Sequence, residues 1–468
     1  MIEFPEDIRG ALVPTYRGEV VYECVSCDAR HPIEKFAYTC PRCGGLLSLR
    51  DLAFDALKAK GGAFWQRLFA YRALAREPQS LKGIFRFHEL ILPVVPPEDV
   101  IWLGEGHTPV IPANADLAAA VGAPFSIKYD GLNPSASFKD RGMASAISYL
   151  NHAIRRWGAR DVLGICASTG DTSAAAALYL AYLPEGAVKS VVLLPAGKVT
   201  PQQLSQPLGS GATVIQVPGV FDDCMRIVEE LSRDYQVFLL NSKNPVRING
   251  QKSYAYEVAL DADWRTEDLA VVVPIGNAGN VTAVMEGFLD LLRLGMIPAL
   301  PLVVGVQSRH ANPVYLWRSS GSYAPVKVRS SVAQAAMIGN PVSFPKVRRL
   351  VEEHFRERFV AVEVTEQEIM DAMLTANRHG HVICTQGGEG VAGLAAALRA
   401  KVVEPGMRVV VDSTAHHLKF ADFQQKYFDG SLPADYEVTP RPQLQNRPVD
   451  LPASADAIAE YLNLSRRA

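Results

Sequence analysis

The sequence predicts an α/β protein built on a mostly parallel sheet, and three observations carry that expectation. From about residue 100 onward, short apolar strands alternate with helical stretches. The candidate strands are 125–129, 162–167, 190–195, 213–217, 269–274, 302–306 and 407–411; they are rich in β-branched residues and do not alternate. Such runs belong to strands covered on both faces by helices. Two of them run into small-residue loops that open onto helices, at 168–173 and 276–280. In open sheets of this kind, ligands lie in the crevice beyond the strand ends.

A chain of 468 residues buries a sizeable core and can hold two or three domains. Lys plus Arg number 47 and Asp plus Glu 49, a net charge of -2, which offers no basic face for nucleic acid. Apolar stretches such as 174–183 are too short to span a bilayer. The start, Met1-Ile2-Glu3-Phe4-Pro5-Glu6-Asp7, is acidic and lacks a signal-peptide pattern, so a cytoplasmic protein is expected. Neither low-complexity sequence nor an internal repeat is evident.

Residues 1–50 hold four of the seven cysteines as two knuckles, Cys24-Val25-Ser26-Cys27 and Cys40-Pro41-Arg42-Cys43, twelve residues apart. Four thiolates so spaced can surround one tetrahedral ion, and Gly44-Gly45 allows the tight turn that aims amides at the sulfurs. With every ligand position filled by protein, the zinc expected here is structural. A pair of disulfides, or knuckles that have lost their metal, are the alternatives. Cys166, Cys224 and Cys384 lie in apolar surroundings and read as small core residues. Residues 51–98 read as helices, with helical spacing over 54–74, ending at Pro93-Val94-Val95-Pro96-Pro97. Beyond about 425, five prolines suggest an extended tail that ends in a short helix.

Lys139 is the strongest single candidate for chemistry. It follows the turn Asn133-Pro134-Ser135 and precedes an apparent helix at 142–154. A lysine there is either a solvated surface charge or an amine that condenses with an aldehyde cofactor to a Schiff base. The loops Ser168-Thr169-Gly170-Asp171-Thr172-Ser173 and Gly276-Asn277-Ala278-Gly279-Asn280 each join a strand end to a helix start, where free amides and a positive dipole end meet. Together they point to a phosphorylated ligand. Neither is a GxGxxG, and no GxxxxGK[ST] occurs, which disfavours dinucleotides and nucleoside triphosphates.

A set of ordered blocks then extends from about Leu103 to Phe423. They are Gly106-His107-Thr108-Pro109, the run Asn133 to Gly142, Ala167-Ser168-Thr169-Gly170, and Leu194-Pro195-Ala196-Gly197-Lys198. Further along come Asn241-Ser242-Lys243-Asn244-Pro245-Val246-Arg247, Gly250-Gln251-Lys252, the 276–280 loop and Gly339-Asn340-Pro341-Val342-Ser343. With these blocks the chain resembles the threonine synthase family of fold-type-II pyridoxal phosphate enzymes, related to the tryptophan synthase β chain. The resemblance implies a two-domain parallel-sheet fold, with a large cofactor-binding domain at 101–143 and 241–425 and a smaller one at 144–240. Around it lie the zinc-ribbon-like module at 1–50, a helical linker region at 51–100 and the tail at 426–468.

The resemblance also implies roles. Lys139 would carry pyridoxal 5'-phosphate and afterwards move protons, and Phe138 would stack on the ring. Gly276, Asn277, Ala278, Gly279 and Asn280 would bind the cofactor phosphate. Thr414 would meet the pyridine nitrogen, and a hydroxyl there keeps the ring a weaker electron sink than a carboxylate would. Ser168 and Thr169 would hold the substrate carboxylate; Thr172, Asn241, Ser242 and Arg247 would hold the substrate's phosphate. For Arg247 the other reading is a surface salt bridge. The implied reaction is that of a carbon–oxygen lyase: γ-elimination of phosphate from O-phospho-L-homoserine, then addition of water at Cβ to give L-threonine. Relatives commonly pair as homodimers.

Three positions depart from the family's usual pattern. Asp171 stands where an asparagine is usual, beside the cofactor's phenolic oxygen. Thr385-Gln386-Gly387-Gly388-Glu389-Gly390 replaces a segment near the substrate side chain, with Glu389 either a surface charge or a residue behind the site. Ala415 and His417 occupy frequent glycine positions around Thr414, and His417 reads as a packing substitution. A sister reaction of the cysteate synthase kind, on phosphoserine and sulfite, differs in substrate by one methylene, which a pocket separates by only about 1–3 kcal/mol. Threonine or serine dehydration fits less well with a phosphate-binding Asn241, Ser242 and Arg247. A non-catalytic binding protein has neither a basic stripe to support it nor a use for Lys139.

Overall fold

The computed structural model describes residues 4–76, 78–168, 170–196, 201–219 and 221–466, and three sheets organise them. The largest has the order Phe359–Val364, Leu302–Ser308, Leu269–Pro274, Arg408–Ser413, Ser126–Tyr129, Val110–Pro112. All its neighbours are parallel except the last pair, which is antiparallel. A second, wholly parallel sheet runs Thr213–Val217, Val188–Pro195, Val162–Ala167, Val237–Leu239. The third is a small antiparallel sheet of Arg30–Pro32, Val20–Cys24 and Leu47–Asp51 that carries the cysteine knuckles. The continuous apolar composition has the consequence expected of it: every residue of Leu269–Pro274 and Leu302–Ser308 is buried.

All seven expected strands form, within two residues of the expected bounds. In the two larger sheets three more were not foreseen: Val110–Pro112, Val237–Leu239 and Phe359–Val364. The first two are only three residues long, too short for a periodic signal. The helical stretch at 54–74 is broken into Asp55–Lys58 and Gly62–Leu74. Gly61 takes φ 75°, and a Cβ on Gly62 would lie 2.0 Å from the Gly295 carbonyl oxygen, so the second helix abuts the 295 turn directly. The tail does end in a short helix, Ala455–Tyr461. Among the described residues, no helix is long and apolar enough to cross a membrane.

Helix Lys139–Arg156 begins three residues earlier than its expected start, so Lys139 opens the helix rather than preceding it. Helix Pro245–Gln251 lies against it at backbone distance. A Cβ on Gly250 would lie 2.3 Å from the Arg141 carbonyl oxygen, and one on Gly142 2.9 Å from that of Arg247. Only glycine at both positions permits this approach, which sets Arg247 beside the Lys139 turn.

The cysteine-bearing sheet ties both larger sheets together. Tyr38 Oη donates to Val237 O (3.1 Å) and accepts from Leu239 N (2.8 Å), at the edge of the second sheet. Lys346 Nζ donates to Leu47 O (2.7 Å) and Arg349 Nη1 to Val25 O (3.1 Å), both from the large-sheet side.

Candidate active site

Parallel strands deliver their C-terminal loops to one edge, and three of these loops meet. They are the turn 130–138 after Ser126–Tyr129, the loop 275–280 after Leu269–Pro274, and 414–417 after Arg408–Ser413. The Phe138 amide donates to Thr414 O (2.8 Å) and the His416 amide to Ala136 O (3.0 Å), while Ser137 bridges Ala415. Loop 275–280 lies where the strand order reverses, with later strands on one side and Arg408–Ser413 on the other. That switch point is where open α/β sheets hold ligands.

A buried charge network stiffens the Lys139 turn. Arg141 is fully buried and grips two carboxylates, Asp130 at 2.7 and 2.8 Å and Glu257 at 2.8 Å from both oxygens. It also donates to Ser253 Oγ and Thr108 Oγ1, both at 3.0 Å. Lys128 Nζ adds a second cation 3.0 Å from Glu257. Opposite charges hold Glu257 well below the usual carboxylate range against the effect of burial. Asp140 accepts from the Ser135 amide (3.2 Å) and hydroxyl (2.8 Å), which closes the turn. Burial pushes Asp140 up to about 7.

Lys139 is partly enclosed, with its ammonium 4.0 Å from the centre of the Phe138 ring. Burial, and then the like charge of Arg247, bring the Lys139 amine down to about 8. Asp171 acts in the opposite sense. A sizeable neutral fraction near physiological pH is what attack on an aldehyde requires.

The 276–280 loop has the form of an anion cradle. Ala278 adopts φ 60° and caps the 15-residue helix Gly279–Arg293, whose first amides face outward. A Cβ on Gly276 would come 3.1 Å from Ala335 O, so this loop is closely walled. Asn277 O accepts from the Ser343 amide (3.0 Å), and the Ser343 hydroxyl is buried without a partner. The Asn280 side chain turns inward to Asp412 (2.7 Å), leaving its backbone for a ligand.

A second anion site lies across the crevice. Arg247 is 2 % exposed; its Nη1 donates to Leu240 O (2.7 Å), while its Nε is buried without a partner among the described residues. Burial holds it at about 10, with only the Cys166 thiol to offset this. This is a cation prepared for an anion, not a surface salt bridge. Ser168 and Thr172 flank the start of helix Asp171–Leu180, with Ser168 Oγ accepting from the Gly170 amide (3.3 Å). Thr169, and Gly197-Lys198 at the end of the Leu194 block, lie outside the described residues. The Asn241 amide is engaged at both ends by Ala167, accepting from N (2.9 Å) and donating to O (2.6 Å). It ties the Ser168 loop to the Ser242 loop, with one amide proton left over.

Several groups near the site escaped sequence reasoning. Lys419 forms an ion pair with Asp171 (3.0 Å) and donates to Ser135 O (2.9 Å). Asp412 is fully buried; its Oδ1 has no partner, and burial raises it well above its ordinary value. Glu389 is fully buried, which excludes the surface-charge reading, and neither oxygen has a well-formed hydrogen bond among the described residues. Burial and Glu366 push it well above the usual carboxylate range. Cys166 and Cys384 are buried, and burial pushes their thiols up to about 12 and 11, as expected of inert core residues. The sulfurs of Cys24, Cys27, Cys40 and Cys43 all lie within 4.8 Å of one another, close enough to share one metal ion.

An aldehyde cofactor with a phosphate arm fits these features. Lys139 supplies the amine, Phe138 an aromatic face beside it, and 276–280 the unfilled amides, with the Ser343 hydroxyl spare. A family model described as pyridoxal-phosphate dependent enzyme matches residues 101–414. Threonine synthase 2, chloroplastic, of Arabidopsis thaliana is 34% identical over 433 residues, covering 90% of this chain and 80% of that protein. Threonine synthase of Methanocaldococcus jannaschii is 34% identical over 407 residues, covering 86% and 94%. The crystal structure of threonine synthase from Escherichia coli shares the fold with TM-score 0.65 at 22% identity, covering 95% of this chain and 99% of that one. Identity of this order over most of the chain, on a matching fold, places it: the chain belongs to the threonine synthase family of pyridoxal-phosphate dependent enzymes.

Proposed function

We propose that the protein converts O-phospho-L-homoserine and water to L-threonine and phosphate. The observation that carries the reading is Arg247: a buried guanidinium with an unpaired Nε, close enough to Lys139 to depress its amine. A second anion site beside the amine suits a substrate that brings its own phosphate.

Pyridoxal phosphate, when bound, supplies the electron sink that lets protons leave carbons next to the amino group. Lys139 would hold it and, once released, carry protons between the substrate's α and β carbons, a task matched to an amine near 8. The amides of Gly276, Asn277, Ala278, Gly279 and Asn280 would hold the cofactor phosphate, and the Thr414 hydroxyl the ring nitrogen. Ser168, with Thr169, would orient the substrate carboxylate. Arg247, Thr172, Ser242 and the free Asn241 proton would bind the leaving phosphate and neutralise its charge as it departs. Cys24, Cys27, Cys40 and Cys43 would hold a structural zinc with no open position.

The test compares three mixtures with the cofactor-loaded protein: phosphohomoserine, phosphoserine with sulfite, and threonine or serine alone. Phosphate and threonine from the first alone are expected. Phosphate from the second alone would replace this reading with a β-replacement.

A further inference from the structure

Asp171 sits at the first position of helix Asp171–Leu180, 5 % exposed, with its Oδ1 3.0 Å from Lys419 Nζ in an ion pair whose geometry is not that of a hydrogen bond. Lys419 comes from the turn His417–Lys419, just past the end of strand Arg408–Ser413, and its ammonium also donates to Ser135 O at 2.9 Å. Ser135 is four residues before Lys139, and its amide and hydroxyl are already held by Asp140. One ammonium therefore joins two things that matter to Lys139: the backbone of its turn and the only carboxylate among the groups acting most strongly on its amine. The groups that act most strongly are Arg247 from helix Pro245–Gln251, Asp171 from helix Asp171–Leu180, Cys166 from strand Val162–Ala167, and Lys419 from the turn past Arg408–Ser413.

We propose that Lys419 is a positioning residue for Lys139, pinning the Asp171 carboxylate and counterbalancing its charge so that Asp171 does not pair with the Lys139 amine. This inference deepens the proposed function, on which it rests for its relevance to the reaction. A bare carboxylate beside a lysine amine would hold that amine protonated and unreactive. With Lys419 in place the Asp171 charge is matched, and the pair presents ammonium protons where a neutral side chain would present an amide.

The test reads the amine itself in the full chain freed of cofactor with hydroxylamine. Competitive labelling of Lys139 with an amine reagent across pH, quantified by peptide mass spectrometry, gives its ionisation midpoint. Lys419→Met should raise that midpoint by about one pH unit, and Asp171→Asn should lower it by a similar amount. Lys419→Arg should stay with the parent protein. Lys419→Gln, which keeps a donor for Ser135 O without the charge, should follow Lys419→Met and covers the case in which Lys419→Met does not fold. A midpoint unchanged or lowered in both Lys419→Met and Lys419→Gln would overturn the proposal. The reading does not depend on the cofactor. Failure of the proposed function would show separately, as no threonine formed from phosphohomoserine by the cofactor-loaded parent protein.

Discussion

Replacing Arg247 with methionine should make the ligand-free protein more stable and nearly inactive. The guanidinium is 2 % exposed, has no carboxylate partner among the described residues, and is held by burial at about 10, below its ordinary value. That difference corresponds to roughly 3 kcal/mol of penalty on the charged form, present at every pH below about 10. Methionine fills much of the volume without the charge. It gives up the 2.7 Å bond to Leu240 O, worth about 1.5–3 kcal/mol for a charged donor. The net expectation is a stabilisation of about 1 kcal/mol, or a thermal midpoint raised by roughly 1 °C in a chain of 468 residues. Added to the cofactor-loaded protein, whose 276–280 loop is already filled, inorganic phosphate should reverse the order. At a hundred times its dissociation constant it stabilises the parent protein by about 2.7 kcal/mol and the variant not at all. Loss of one charge-assisted contact to substrate phosphate should lower kcat/KM by about a hundredfold. Thermal unfolding with and without phosphate decides the matter. A variant that melts lower than the parent and still responds to phosphate would refute Arg247 as a waiting anion site.

Three further outcomes follow from the geometry. Gly250→Ala places a methyl 2.3 Å from the Arg141 carbonyl oxygen, so it should cost about 1–3 kcal/mol in unfolding and displace Arg247 from the Lys139 turn. An unchanged KM would count against that displacement. Glu389→Gln should stabilise the protein increasingly as pH rises. Because burial raises the Glu389 carboxyl, its contribution is fully present below the unfolded value, about 4.3, and is lost as pH climbs toward the folded one. A melting difference that stays constant between pH 6 and 9 would show that Glu389 does not titrate there. Stripping metal from the four-cysteine cluster should lower the melting temperature and speed amide exchange at Val237–Leu239, which Tyr38 clamps from that sheet. Unaltered exchange at that edge would detach the cluster from it.

What could be read from sequence was whatever repeats locally. Leu269–Pro274 and Leu302–Ser308 announce themselves as continuous apolar runs because both faces are covered. Lys139 and the 276–280 loop declare themselves through a turn, glycines and a helix start within a few residues. The pair of Asp171 and Lys419 could not be seen that way, since 248 positions separate the partners and only the meeting of two sheets joins them. The same holds for Asn280 with Asp412. Glu389 stayed open between surface and interior until helix Thr385–Arg399 was seen lying on the large sheet. A Cβ on Gly390 would lie 2.8 Å from Val411 and one on Gly393 2.2 Å from Val306, an approach that carries Glu389 inward with them.

The chemistry assigned to Lys139 is tested most directly by borohydride reduction of the cofactor-loaded protein, followed by peptide mass spectrometry. A single pyridoxyl adduct on Lys139 is the expected result, lost in Lys139→Ala. An adduct on Lys128, Lys346 or Lys419 instead, or none on any lysine, would contradict the account.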